Sequence, residues 1–75
     1  MIIIYTTNHC PYCDVAKQYF RDKNLDYEAK DIEFDESAFD ELLEKLDGNF
    51  RGVPVFDING QIIEGFDRSK IEKAL

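Results

Sequence analysis

The apolar run Ile2-Ile3-Ile4-Tyr5, followed after four polar residues by Cys10-Pro11-Tyr12-Cys13, most constrains what this chain can fold into. A continuous β-branched and aromatic run is the pattern of a strand buried on both faces. Thr6 to His9 reads as a polar loop. Pro11 fits the first position of a helix, where its missing N–H costs nothing. Val15, Ala16, Tyr19 and Phe20 recur at helical spacing and predict a helix over 11–23 with one buried face, stopped at Asn24.

Downstream, Leu25 to Ile32 alternates imperfectly, with Leu25, Tyr27, Ala29 and Ile32 inward, and predicts a strand over 26–31. Phe39, Leu42, Leu43 and Leu46 follow i, i+3, i+4, i+7 and predict a helix over 36–47. Gly48 stands beyond it as a left-handed terminator. Val53-Pro54-Val55-Phe56 and Gln61-Ile62-Ile63 read as short strands joined through the hairpin signal Asn59-Gly60. Asp67 is placed to cap a last helix, with Phe66 stapled onto Ile71. The order β-α-β-α-β-β-α implies an α/β fold. A strand–helix–strand unit gives parallel pairing with a right-handed crossover. Adding the antiparallel hairpin gives a four-stranded mixed sheet flanked by helices.

At 75 residues the chain is expected to form one domain, 1–75. A domain this small buries only about 60% of its unfolded surface. Its 44% hydrophobic and 13% aromatic residues suffice for one core. No stretch approaches the roughly 20 apolar residues of a membrane span. Met1-Ile2-Ile3-Ile4 is too short for a signal-peptide core and lacks a basic flank. These features predict a cytoplasmic chain with no membrane partner. The net charge of −7 argues against nucleic acid, whose phosphates need clustered Lys and Arg. The acidity reads as solubility, or as steering toward a basic patch on a partner protein.

Cys10 and Cys13 are the only cysteines. In a chain without a secretory signal, such a pair points to catalysis or metal rather than to a disulfide framework. Zinc needs about four ligands, and only His9 stands near the pair. A purely structural bridge this short removes little loop entropy. Thiol–disulfide exchange fits best, because a strand end opening into a helix places Cys10 where unpaired N–H groups and the helix dipole favour an anion. Its pKa is expected to fall from about 8.5 into the range of roughly 3.5–7.5. Attack gains little from this, since nucleophilicity drops with basicity; departure of Cys10 from a mixed disulfide gains more. Cys13, about one helical turn on, is expected to resolve that mixed disulfide and to keep a higher pKa. Tyr12 is expected to face solvent beside the site.

With Tyr5-Thr6-Thr7-Asn8-His9 before Cys10-Pro11-Tyr12-Cys13, the chain resembles a glutaredoxin of the thioredoxin-like superfamily. Val53-Pro54 resembles the family's Thr-Val-Pro segment, with Gly52 in place of Thr. Gly65-Phe66-Asp67 resembles its glycine turn and helix cap, and the element order is similar over essentially the whole chain. The resemblance implies a cis Pro54 beside Cys10. It implies that the Val53 backbone pairs with bound peptide or glutathione, and that Arg51 helps hold a glutathione carboxylate. Tyr12, Gly65, Phe66 and Asp67 complete the implied substrate contacts. Glutathione would be reductant and co-substrate, with no tightly bound cofactor and no metal. Partners would be disulfide-containing or glutathionylated proteins, met by a monomer.

The chain departs from the pattern at three places. Thr7 stands where many members have Lys, Glu64 replaces the first Gly of a Gly-Gly pair, and Arg68 replaces the second of two Asp. Loss of the Lys removes a carboxylate partner. Arg68 would repel the glutathione ammonium or supply a substitute carboxylate partner. Two alternatives accompany the glutathione-dependent reading: Gly65-Phe66 also resembles small redoxins, which the altered contacts favour, and some relatives of the family carry a cluster. One is a redoxin recharged by thioredoxin reductase that donates electrons to ribonucleotide reductase. The other is an iron–sulfur cluster carrier, in which Cys10 of two monomers and two glutathiones hold the cluster.

Overall fold

The computed structural model describes residues 1–75. The chain runs β1 (Ile2–Thr6), α1 (Pro11–Asp22), β2 (Glu28–Asp31), α2 (Glu36–Lys45), β3 (Val55–Ile58), β4 (Gln61–Glu64) and α3 (Arg68–Ala74). One mixed sheet has the order β2-β1-β3-β4. β1 pairs parallel with β2 and antiparallel with β3, and β3 pairs antiparallel with β4. This is the four-stranded α/β arrangement that the sequence predicts.

β1 is a central strand covered on both faces, which explains its unbroken apolar run. Ile2 and Ile4 point to one face, into a cluster with Ala16, Phe20, Phe56, Ile58, Ile63 and Ile71 beneath α1 and α3. Tyr5 points to the other, with Ile32, Ala38, Leu42 and Val55 beneath α2. The hairpin obeys the same period-two rule, with Phe56 and Ile63 on the first face and Val55 and Ile62 on the second.

The ends of the elements follow local chemistry. α1 and α2 both close with a left-handed residue, Asn24 (φ +56°) and Asp47 (φ +54°). After each, the next N–H reaches back into the last turn, Leu25 to the Phe20 carbonyl at 2.9 Å and Gly48 to the Leu43 carbonyl at 2.8 Å. This is the Schellman closure. Asn24 is the expected stop, whereas on α2 Asp47 takes the terminating position one residue before Gly48. Asn59 and Gly60 both have positive φ and form the two-residue hairpin turn. Asp67 caps α3 through the Lys70 N–H at 3.2 Å.

Three expectations change. Val15 is 48% exposed; the buried face of α1 is Cys13, Ala16 and Phe20, with Tyr19 at its margin. Ala29 is exposed because β2 is an edge strand, and α1 covers Leu25 and Tyr27 before it but not Ala29 itself. The strand predicted to begin at Val53 begins at Val55, and the Val53-Pro54 peptide before it is cis.

Candidate active site

The sheet topology gathers four chain segments at one end. β1 runs toward Thr6 and the Cys10 loop, and parallel β2 ends opposite it, with Asp31 beside Thr6. Antiparallel β3 begins there, with Val55 opposite Tyr5. β4 ends there, with Glu64 opposite Val55. Cys10–Cys13, Glu33-Phe34, Val53-Pro54 and Gly65-Phe66-Asp67 therefore emerge from the same edge. The Gly65 N–H donates to the Pro54 carbonyl at 2.9 Å and ties two of these segments together.

Cys10 is the N-cap of α1, in an extended conformation (φ −131°, ψ 93°), with Pro11 at the first helical position. The Cys13 N–H donates to Cys10 Sγ at 3.1 Å and also to the Cys10 carbonyl at 3.1 Å. A helix therefore aims one of its orphan donors at the sulfur, the arrangement that favours a thiolate. The two cysteines form a disulfide with Cα atoms 5.2 Å apart. Cys10 is 8% exposed and Cys13 only 1%, so Cys10 is the more accessible residue of the pair. Tyr12 between them is 64% exposed.

Val53 is half-buried, and neither its N–H nor its C=O is used in a strand ladder, turn or cap. Arg51 is exposed and has no carboxylate within ion-pair distance. It lines a concavity along the β4 edge, between Lys45 and Asp47 at the end of α2 and Lys70 of α3, with Ile62 and Glu64. Phe66 is half-buried, its ring edge-on to Tyr19 at 5.8 Å, and Asp67 is committed to the α3 cap.

Sequence reasoning missed a polar network on the α2 face. The Tyr5 hydroxyl donates to Glu41 Oε2, and Lys45 Nζ donates to the Tyr5 oxygen at 2.7 Å and to Asp57 Oδ2 at 2.6 Å. Lys30 closes the chain onto Glu41 at 2.9 Å. Burial pushes the Tyr5 hydroxyl pKa up, and its bond to Glu41 adds to the rise. Burial alone would lower the Lys45 pKa, but hydrogen bonds to Asp57 and Tyr5 outweigh it and hold the ammonium above its ordinary value. Bonds from Tyr5 and Lys30 hold the Glu41 carboxyl below the ordinary range. The only sequence signal was the tyrosine closing the apolar run Ile2–Tyr5, whose hydroxyl needs a partner when buried.

A cysteine pair that closes into a disulfide at the start of a helix, on a four-stranded mixed sheet, defines a thioredoxin-like thiol–disulfide redox protein. The glutaredoxin family model matches residues 2–63, and the chain belongs to the glutaredoxin family. It is a thiol–disulfide oxidoreductase. It is 38% identical to an uncharacterised glutaredoxin-like 8.6 kDa protein of the Clostridium pasteurianum rubredoxin operon, over all of this chain and 97% of that protein. It is 35% identical to the mitochondrial glutaredoxin-2 of Mus musculus over 85% of this chain, but covers only 42% of the mouse protein. Among solved structures it resembles the thioredoxin-like protein BC3987, with a TM-score of 0.89 and 31% identity over 100% of both chains. It also resembles the NrdH-redoxin of Escherichia coli, a glutaredoxin-like protein with a thioredoxin-like activity profile. That match has a TM-score of 0.81 and 26% identity over 96% of this chain and 91% of the other.

Proposed function

We propose that this chain is a glutathione-dependent reductase of protein disulfides and glutathione mixed disulfides. The observation that carries the reading is the gathering, at one sheet end, of an N-cap cysteine and the unpaired Val53 backbone. An extended substrate segment can pair with Val53 as a short added strand and bring its disulfide to Cys10. In the reduced protein, Cys10 thiolate attacks one substrate sulfur, the S–S bond breaks, and the departing thiolate takes a proton. Cys13, after losing its proton, attacks the Cys10 sulfur of the mixed disulfide and releases the second substrate thiol. Two electrons have passed, and the protein is left in the disulfide form seen here. Two glutathione molecules then restore the dithiol and leave as glutathione disulfide. Arg51, free of an internal carboxylate, is the cation offered to a glutathione carboxylate.

The resemblance to the NrdH-redoxin favours a second reading, in which thioredoxin reductase supplies the electrons and ribonucleotide reductase receives them. Thr7 and Arg68, at positions where many family members contact glutathione, support it. NADPH consumption with a glutathione mixed disulfide separates the two. Turnover with glutathione and glutathione reductase alone supports the first reading. Reduction of the Cys10–Cys13 disulfide by thioredoxin reductase alone replaces it with the second. Cys10→Ser is expected to abolish exchange, whereas Cys13→Ser keeps activity on glutathione mixed disulfides and loses dithiol-dependent protein reduction. The reading takes the protein to be a cytoplasmic monomer; a brown dimer on purification would point instead to the cluster carrier.

A further inference from the structure

We propose that the shallow groove between α1 and the start of α3 binds the substrate segment flanking the target disulfide. It would accept an apolar side chain against Val15, Tyr19 and Phe66, with a carboxylate beside it at Arg68. The inference deepens the protein-disulfide reading and rests on it.

The groove encloses about 400 Å³ and is lined by Val15, Gln18, Tyr19, Asp22, Phe66 and Arg68. Its apolar wall is continuous with the dithiol surface. Tyr12, Val15 and Tyr19 stand at i, i+3 and i+7 along α1, so they share one face. Tyr12 and Val15 are 64% and 48% exposed, although most of the chain's large apolar side chains are covered. Phe66 extends the strip from the other wall through its edge-on contact with Tyr19 at 5.8 Å. From Tyr12 to Tyr19 the helix rises about 10 Å, at roughly 1.5 Å per residue. An extended peptide spans that in about three residues. A substrate cysteine at Cys10 therefore places its near neighbours in the groove.

Charge sets the second requirement. The Arg68 guanidinium lies over the Tyr19 ring at 5.4 Å, a ring it shares with Lys23 Nζ at 5.1 Å, and this contact draws it toward the groove wall. No carboxylate lies within ion-pair distance of it. It is an available cation on a chain of net charge −7. Asp22, also on the lining, repels a carboxylate placed beside it and so narrows the acceptable position to Arg68. The favoured occupant is an extended peptide in which an apolar residue precedes an acidic one, close to the disulfide.

The test uses pre-reduced protein in single turnover with no other reductant, so the choice between glutathione and thioredoxin reductase does not enter. Three synthetic peptides each carry one disulfide followed by Leu-Asp, Leu-Lys or Ser-Ser. Alkylation quench and mass spectrometry read the rate of Cys10–Cys13 oxidation. The Leu-Asp peptide is expected to react about threefold faster than Leu-Lys, the scale of an exposed ion pair. Arg68→Glu reverses that order, and Arg68→Lys keeps it. Val15→Ser narrows the gap between the Leu-Lys and Ser-Ser peptides. Wild-type protein is run in parallel with bis(2-hydroxyethyl) disulfide as a small substrate, and both position-68 variants keep the parent's cooperative urea transition, which shows that they are folded. Equal wild-type rates for Leu-Asp and Leu-Lys, or an unchanged order in Arg68→Glu, overturn the groove assignment while leaving protein-disulfide reduction intact. If no peptide reacts but the small disulfide does, protein-disulfide reduction fails and the groove assignment falls with it.

Discussion

Gly52 has φ +143°, in the half of backbone space that L side chains rarely enter. A Cβ built there meets nothing within 4 Å, so the obstacle to a larger residue is the backbone and not a clash. This gives a physical reason for a glycine where the family pattern has Thr. Gly52 supplies this backbone conformation immediately before the bend at Val53 that leads into Pro54. Gly52→Thr is expected to destabilise the fold by about 1–3 kcal/mol. A thermal melt should show this as a drop of about 4–8 °C per kcal/mol. An unchanged melting temperature would mean that the segment relaxes freely and does not preset Val53.

At the scale of elements, α2 is fastened to the sheet by side chains from both central strands. Tyr5 comes from β1 and Asp57 from β3, and Lys45 bridges them. The Tyr5 and Lys45 pKa values are both raised above ordinary values of 10.0 and 10.5. The folded state thus binds more protons than the unfolded chain in alkali. The stability they contribute is complete below those ordinary values and is lost as pH rises through the folded ones. Thermal melts should show the melting temperature falling above about pH 10. Glu41 has the opposite sign. Its folded pKa lies below 4.5, so its contribution is present above that value and lost as pH falls through the folded one. Glu41→Gln should flatten the acid limb of the stability profile, and an unaltered limb would remove Glu41 from the network's energetics. The caps act locally: Asp67→Ala is expected to cost about 1 kcal/mol, read from a urea midpoint.

Over the whole molecule, stability is small because the chain is small. At about 0.05–0.15 kcal/mol per residue, a chain of this size has roughly 4–11 kcal/mol in total. Phe20 is fully buried where α1 meets the sheet, with Phe56 edge-on at 6.0 Å and Tyr27 at 6.1 Å. Phe20→Ala is expected to cost about 3–5 kcal/mol, enough to unfold much of the population under mild denaturant. Phe34, 75% exposed at the active-site end, is the control. Phe34→Ser should leave the urea midpoint within about 0.5 kcal/mol of the parent. The same architecture explains the site, since no single element carries it.

The sequence by itself determined what depends on near neighbours. Cys10-Pro11-Tyr12-Cys13 at a helix start, the Asn59-Gly60 turn, the Asp67 cap and the Asn24 stop all follow from local backbone chemistry, and each is present in the fold. Ile2 to Tyr5 reads as a buried strand because a run without alternation has no solvent face. Tertiary structure alone decided which periodic residues are covered. Val15 and Ala16 look equally apolar in sequence, yet only Ala16 faces the sheet. Ala29 alternates correctly, but it lies on an edge strand with no helix over it. The gathering of Cys10, Phe34, Val53 and Phe66 at one end required the strand order β2-β1-β3-β4. That order joins residues some fifty positions apart, beyond the reach of any local periodicity, as the pairing of Tyr5 with Val55 shows.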